Sequence, residues 1–151
     1  MAGYGLPNEQ HLSVVLQNNL SLEGHNIEVI NGSVSGSTTA GGLNIAEWTL
    51  SENNIDLMIL CLGANDMLRG INPKETKNNL IEIIKIAKSK NIKVIIAGMI
   101  APTSHGSNYK KSFDKIFEDL SNEYELQLIP FLLEGVAQKP EFNLSDGMHP
   151  N

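Results

Sequence analysis

Apolar positions along this chain follow two alternating rhythms: short unbroken or every-second-residue runs, and longer stretches at helical spacing. Asn8 to Leu22 places Leu12, Val15, Leu16 and Leu20 mostly on one helical face after Pro7, which predicts a helix. Asn26 to Asn31 alternates and leads into a Gly/Ser/Thr-rich stretch, Gly32 to Thr39, the pattern of a strand with a loop at its C-terminal end. A short helix is expected over Leu43 to Leu50. The continuous apolar run Asp56 to Leu62 then predicts a strand buried on both faces, near the centre of a sheet. Pro73 opens the clearest helix, with Leu80, Ile83, Ile84 and Ala87 on one face and Lys74, Glu75, Lys77, Glu82 and Lys85 off it. Asn91 to Met99 predicts a second buried strand, Tyr109 to about Tyr124 a helix, Leu126 to Ile129 a short strand, and Phe131 to Ala137 one or two helical turns. Strands alternating with helices predict a parallel sheet covered by helices on both faces, in one domain spanning residues 1–151.

Composition narrows the partners. A formal net charge of −6, with Lys110-Lys111 the only adjacent basic pair, argues against nucleic acid, because no basic patch exists to neutralise phosphates. The single cysteine, Cys61, excludes an internal disulfide and a multi-cysteine metal site, and its apolar setting is that of an inert strand residue. No apolar run approaches the ~20 residues needed to cross a bilayer. Met1 to Leu6 shows neither the basic start nor the apolar stretch of a signal peptide.

In sheets of this kind ligands gather beyond the carboxyl ends of the strands. The small polar motifs are expected there: the Ser/Gly loop after the first strand, Gly63-Ala64-Asn65-Asp66 after the second, and Ser145 to Asn151 after the last. Asp146 precedes His149 by three residues, close enough for the carboxylate to orient an imidazole that takes a proton from a nucleophilic hydroxyl. Acyl transfer also needs fixed donors for a developing oxyanion. Gly36, where a bare backbone can approach a ligand, and Asn65, whose amide follows a rigid strand, are residues of the required type. Each motif has a plainer interpretation as a turn, a polar loop or an exposed histidine, but their coincidence in this order favours chemistry. His105 is expected in a solvated loop, His11 and His25 at the surface. Met67, Met99, Ile100 and Met148 could line an apolar acyl pocket, although core packing is the commoner use of methionine. No His/Asp/Glu spacing suggests a metal site.

Taken together, Gly36, Gly63-x-Asn65-Asp66 and Asp146-x-x-His149-Pro150 resemble the second, third and fifth blocks of the SGNH hydrolases, also called the GDSL esterase/lipase family. Asn65-Asp66-Met67-Leu68-Arg69-Gly70 and Leu128-Ile129-Pro130-Phe131 are similar to its bacterial acyl-thioesterase/lysophospholipase/arylesterase branch. The resemblance implies a three-layer α/β/α, flavodoxin-like parallel sheet and hydrolysis of a small-molecule ester or acyl thioester by a Ser-His-Asp acyl-enzyme route, without cofactor or metal. It implies that the Gly36 N–H and the Asn65 amide are oxyanion donors, that His149 is the general base and that Asp146 is its orienting partner.

The family's first block, Gly-Asp-Ser-Leu, is not matched. In this branch it runs shortly into Ala-Gly-Tyr-Gly-Leu, which here is Ala2 to Leu6. The expectation is therefore that the nucleophile and the first strand lie upstream of Met1 and the final helix downstream of Asn151, leaving the 151 residues inactive and marginally stable. That strand would lie between the ones expected at 27–30 and 57–62. A substitute nucleophile among Ser33, Ser35 and Ser37 is disfavoured, because these residues belong to the family's oxyanion loop. The alternatives are a non-catalytic binding or structural remnant and a carbohydrate acetylesterase. The compartment stays open; a periplasmic or secreted parent protein is plausible, since the branch often carries an export signal.

Overall fold

The computed structural model describes residues 2–51 and 54–151. The chain divides into two compact units, one spanning Gly36–Leu132, the other joining the residues up to Ser35 with Leu133–Asn151.

The Gly36–Leu132 unit is an α/β structure. In chain order it contains helix α2 (Thr39–Thr49), strand β1 (Leu57–Leu60), short helix α3 (Ala64–Leu68), helix α4 (Pro73–Ser89), strand β2 (Lys93–Ala97), helix α5 (Ser107–Tyr124) and strand β3 (Gln127–Ile129); helix α1 (Leu12–Leu22) belongs to the other unit. The strands form a parallel sheet in the order β1-β2-β3, with Leu57 opposite Lys93 and Ile95 opposite Gln127. Pairing on both sides buries β2, where Ile96 and Ala97 are fully covered.

The long helices form where expected, for visible reasons. Asn72 caps α4 by accepting the Lys74 N–H at 3.0 Å, and Pro73 occupies its first turn. Glu75 near its N-terminus and Lys88 near its C-terminus suit the helix dipole. Leu80, Ile83, Ile84 and Ala87 of α4 pack into one core with Phe113, Ile116, Phe117 and Leu120 of α5. Every buried apolar side chain among the described residues lies in this unit.

Several expectations are corrected. β1 is the edge of the three-stranded sheet and not its centre: Leu57 is exposed and only Leu60 is buried. The Asn26–Asn31 segment is not a strand, because among the described residues it has no ladder partner. Its backbone is met by a side chain instead: Gln17 donates to the Ile27 carbonyl at 2.8 Å and accepts the Val29 N–H at 2.7 Å. Helix α2 begins at Thr39, four residues before the expected Leu43, since Thr38 caps it by accepting the Gly41 N–H. Residues 132–138 form turns closed by bonds such as Ala137 N–H to Leu133 O at 2.9 Å, and not a regular helix.

In the unit joining both ends of the chain, Asn8–Gln10 forms a 3-10 turn before α1, so the helix expected from Asn8 is broken at His11. α1 buries no residue, and Leu22, Ile27, Ile30 and Val34 are all exposed. No helix of the described residues is long and apolar enough to cross a membrane.

Candidate active site

In the Gly36–Leu132 unit the loop before α2 and the first turns of α3 are bonded together. β1 ends at Leu60, and Gly63, with φ +112°, turns the chain into α3 so that Asn65 and Asp66 fall in its first turn. A Cβ on Gly63 would stand 3.3 Å from Phe117 Cζ and 3.4 Å from Phe113 Cζ, which is why the turn into α3 takes glycine. Gly36 also has positive φ, +74°, with Arg69 Nη2 at 4.0 Å as the nearest neighbour of an added Cβ, so its need for glycine is conformational and not steric.

Asn65 Nδ2 donates to the Ser37 carbonyl at 3.1 Å. The amide carries a second proton, free to meet a ligand oxygen. Arg69, the only arginine of the chain, donates from Nη2 to the Gly36 carbonyl at 3.0 Å. Asp66 is fully buried, accepting the Thr39 N–H at 2.8 Å and the hydroxyls of Thr39 and Thr76, the latter at 3.2 Å. Asn65 is thus bonded to Ser37, the residue that follows Gly36, and Arg69 to Gly36 itself. Thr39, Asp66 and Arg69 are members to which sequence reasoning gave no role, although Asp66 and Arg69 stand in the motifs that carry the family resemblance.

In the other unit, Asp146 and His149 share one tight loop. The Leu144 N–H donates to the His149 carbonyl at 2.7 Å, and an antiparallel bridge pairs Asn143 with Pro150. Asp146 Oδ1 accepts the N–H groups of Met148 and His149 at 2.8 and 3.0 Å, while its Oδ2 lies 2.7 Å from His149 Nδ1. These bonds, first from the His149 N–H, then from the Met148 N–H and the imidazole, pull the Asp146 carboxyl down to about 2. An ionised carboxylate on Nδ1 leaves Nε2 as the ring nitrogen available to a hydroxyl. The Tyr4 ring lies 4.6 Å from the imidazole, a neighbour that sequence reasoning did not identify. A cleft of about 350 Å³ opens beside the loop, lined by Gln138, Lys139, Pro140, Asn143, Leu144, Ser145 and Gly147.

The secondary candidates separate clearly. His105 is exposed on a 3-10 turn, its ring 5.1 Å from that of Tyr109. His25 is exposed, but His11 is half-buried and its Nε2 lies 3.3 Å from the Leu6 carbonyl, correcting the surface expectation. Met99 is buried in the core and Met67 packs against it, whereas Ile100 and Met148 are exposed. Burial pushes the Cys61 thiol above its ordinary range. No cluster of three or more His, Cys, Asp or Glu that could hold a metal occurs among the described residues.

Comparison with known proteins gives a consistent result. A profile described as the GDSL-like Lipase/Acylhydrolase family matches residues 1–151. An arylesterase of Vibrio mimicus is 38% identical over 149 residues, 99% of this chain and 74% of that protein. Esterase TesA of Pseudomonas aeruginosa is 34% identical over the same shares. The crystal structure of AlinE4, a SGNH-hydrolase family esterase, superposes with a TM-score of 0.92 at 38% identity, covering 99% of this chain and 80% of the other.

Proposed function

Because this chain belongs to the GDSL-like lipase/acylhydrolase family, we propose that it carries the oxyanion and acid-base residues of a serine hydrolase acting on carboxylic esters or acyl thioesters. The observation that carries the proposal is the 2.7 Å contact of Asp146 with His149 Nδ1, which leaves Nε2 for a serine hydroxyl.

The serine belongs to the Gly-Asp-Ser-Leu block, which residues 1–151 do not include. His149 Nε2 takes the proton as the serine oxygen attacks the acyl carbon. The resulting oxyanion is met by the Gly36 N–H and the second proton of Asn65 Nδ2. Collapse expels the alcohol or thiol, protonated by His149, and water then releases the acid by the same steps. The similar proteins bear the names arylesterase and esterase, which supports an ester as substrate class.

The test is hydrolysis of p-nitrophenyl acyl esters of increasing chain length by a chain extended upstream through the Gly-Asp-Ser-Leu block. Activity is expected in the extended chain and not in residues 1–151 alone. Extended-chain turnover no higher than that of its Ser→Ala control would refute the assignment.

A further inference from the structure

Asp66 has no part in the chemistry proposed above, yet it is a fully buried carboxylate with no Lys, Arg or His ion-pair partner among the described residues. Burying such a group is costly unless donors converge on it. Here they come from two separate helices: the N–H and hydroxyl of Thr39 at the start of α2, and the hydroxyl of Thr76 in α4. Capping does not explain the arrangement, because α2 already has Thr38 as its cap.

The connections form a closed ring. Asp66 follows Asn65 in the chain and binds Thr39; from Thr39 the backbone leads back to Ser37, whose carbonyl accepts from Asn65 Nδ2 at 3.1 Å. Asn79 of α4 donates to Thr39 Oγ1 at 3.1 Å and joins the ring to the same helix as Thr76. Gly36 is the next residue back from Ser37. The ring therefore fixes the orientation of the Asn65 amide and ties it to Ser37, the residue that follows Gly36.

We propose that Asp66 is a positioning residue for the oxyanion site, acting through Thr39 on Asn65 and Gly36. The inference rests on the function proposed above for Asn65 and Gly36, but its geometric part can be tested without catalysis. Asp66 and Thr39 touch no reacting atom in this scheme. They hold the donors at a fixed separation, so that the site needs no rearrangement when charge develops.

Two measurements decide it. In residues 1–151, NMR should show that Thr39→Val, which deletes one hydroxyl at nearly constant shape, and Asp66→Asn each speed water exchange of the Asn65 side-chain amide about tenfold, the loss expected for one hydrogen bond. The backbone amides of Ile83, Ile96 and Leu120 should keep their protection. Unchanged Asn65 exchange, or exchange that rises only together with those core amides, would overturn the proposal.

In the extended chain, kcat should fall about tenfold for Thr39→Val and roughly a hundredfold for Asp66→Asn, with KM within about twofold. Both losses should shrink in an Asn65→Ala background, where only Gly36 is left to position. Losses of equal size in that background would mark a purely structural role and sink the idea. If the extended chain shows no serine-dependent hydrolysis, the proposed function fails and the NMR result alone decides the positioning role.

Discussion

Asn65 is tied to the Ser37 carbonyl, 28 positions away in the chain, and sits beside a carboxylate whose partners are 27 and 10 positions away. Asp146 and His149, by contrast, are three positions apart, and the bonds that orient the acid and the ring all lie within residues 146–149. Of the two pairs of residues in the proposed site, one is held by tertiary structure, the other by a local turn. The difference predicts which perturbations each can survive. Loosening the core should disturb the oxyanion donors first, while the acid-imidazole pair should respond to its own loop and to protonation of its carboxylate.

The most damaging change should be His149→Ala in the extended chain. Loss of the general base of such a triad costs on the order of 10⁴–10⁶ in kcat, read by p-nitrophenyl ester hydrolysis. Phe113→Ala should come next. It empties a fully buried site in the core of the Gly36–Leu132 unit and is expected to cost about 3–5 kcal/mol in chemical denaturation, with the Asn65 side-chain signal disturbed before that of His149. Simultaneous loss of both signals would erase the contrast drawn here. Asn65→Ala should lower kcat by roughly 10²–10³ with little change in folding stability, as expected for removal of one oxyanion donor.

A gentler test uses pH. The Asp146 pKa is held near 2, below its ordinary 3.8, so the loop's contribution should be complete above about pH 4 and lost as pH falls through 2. Carboxyl ¹³C shifts of Asp146, followed with the Met148 and His149 amide signals, would show this; titration near 3.8 would mean that the turn does not hold the acid. The smallest effect is expected from Leu22→Ala, on a side chain 85% exposed, which should change stability by less than about 0.5 kcal/mol.

The same contrast explains how much of the molecule could be read from its sequence. The apolar stripe of α4 and the runs that became β1 and β2 carry their own periodicity, so these elements were foreseeable to within a few residues. Asp146 and His149 were also foreseeable as a pair, since spacing alone places them on one turn. The Asn26–Asn31 prediction failed because alternation favours an extended backbone but cannot provide a neighbouring strand. Asp66 stood in a recognised motif but was given no role of its own, because its bonds run to Thr39 and Thr76, partners that local pattern does not connect to it.

Gln17 offers one more consequence. Its carboxamide gives the Ile27 carbonyl a proton and takes one from the Val29 N–H, as a peptide group on an adjacent strand would. Ageing by deamidation would turn this two-way mimic into a glutamate that can only accept. The Val29 contact could persist, but Ile27 would face an anion where it had found a donor, and one slow hydrolytic event would unfasten the segment from its helix.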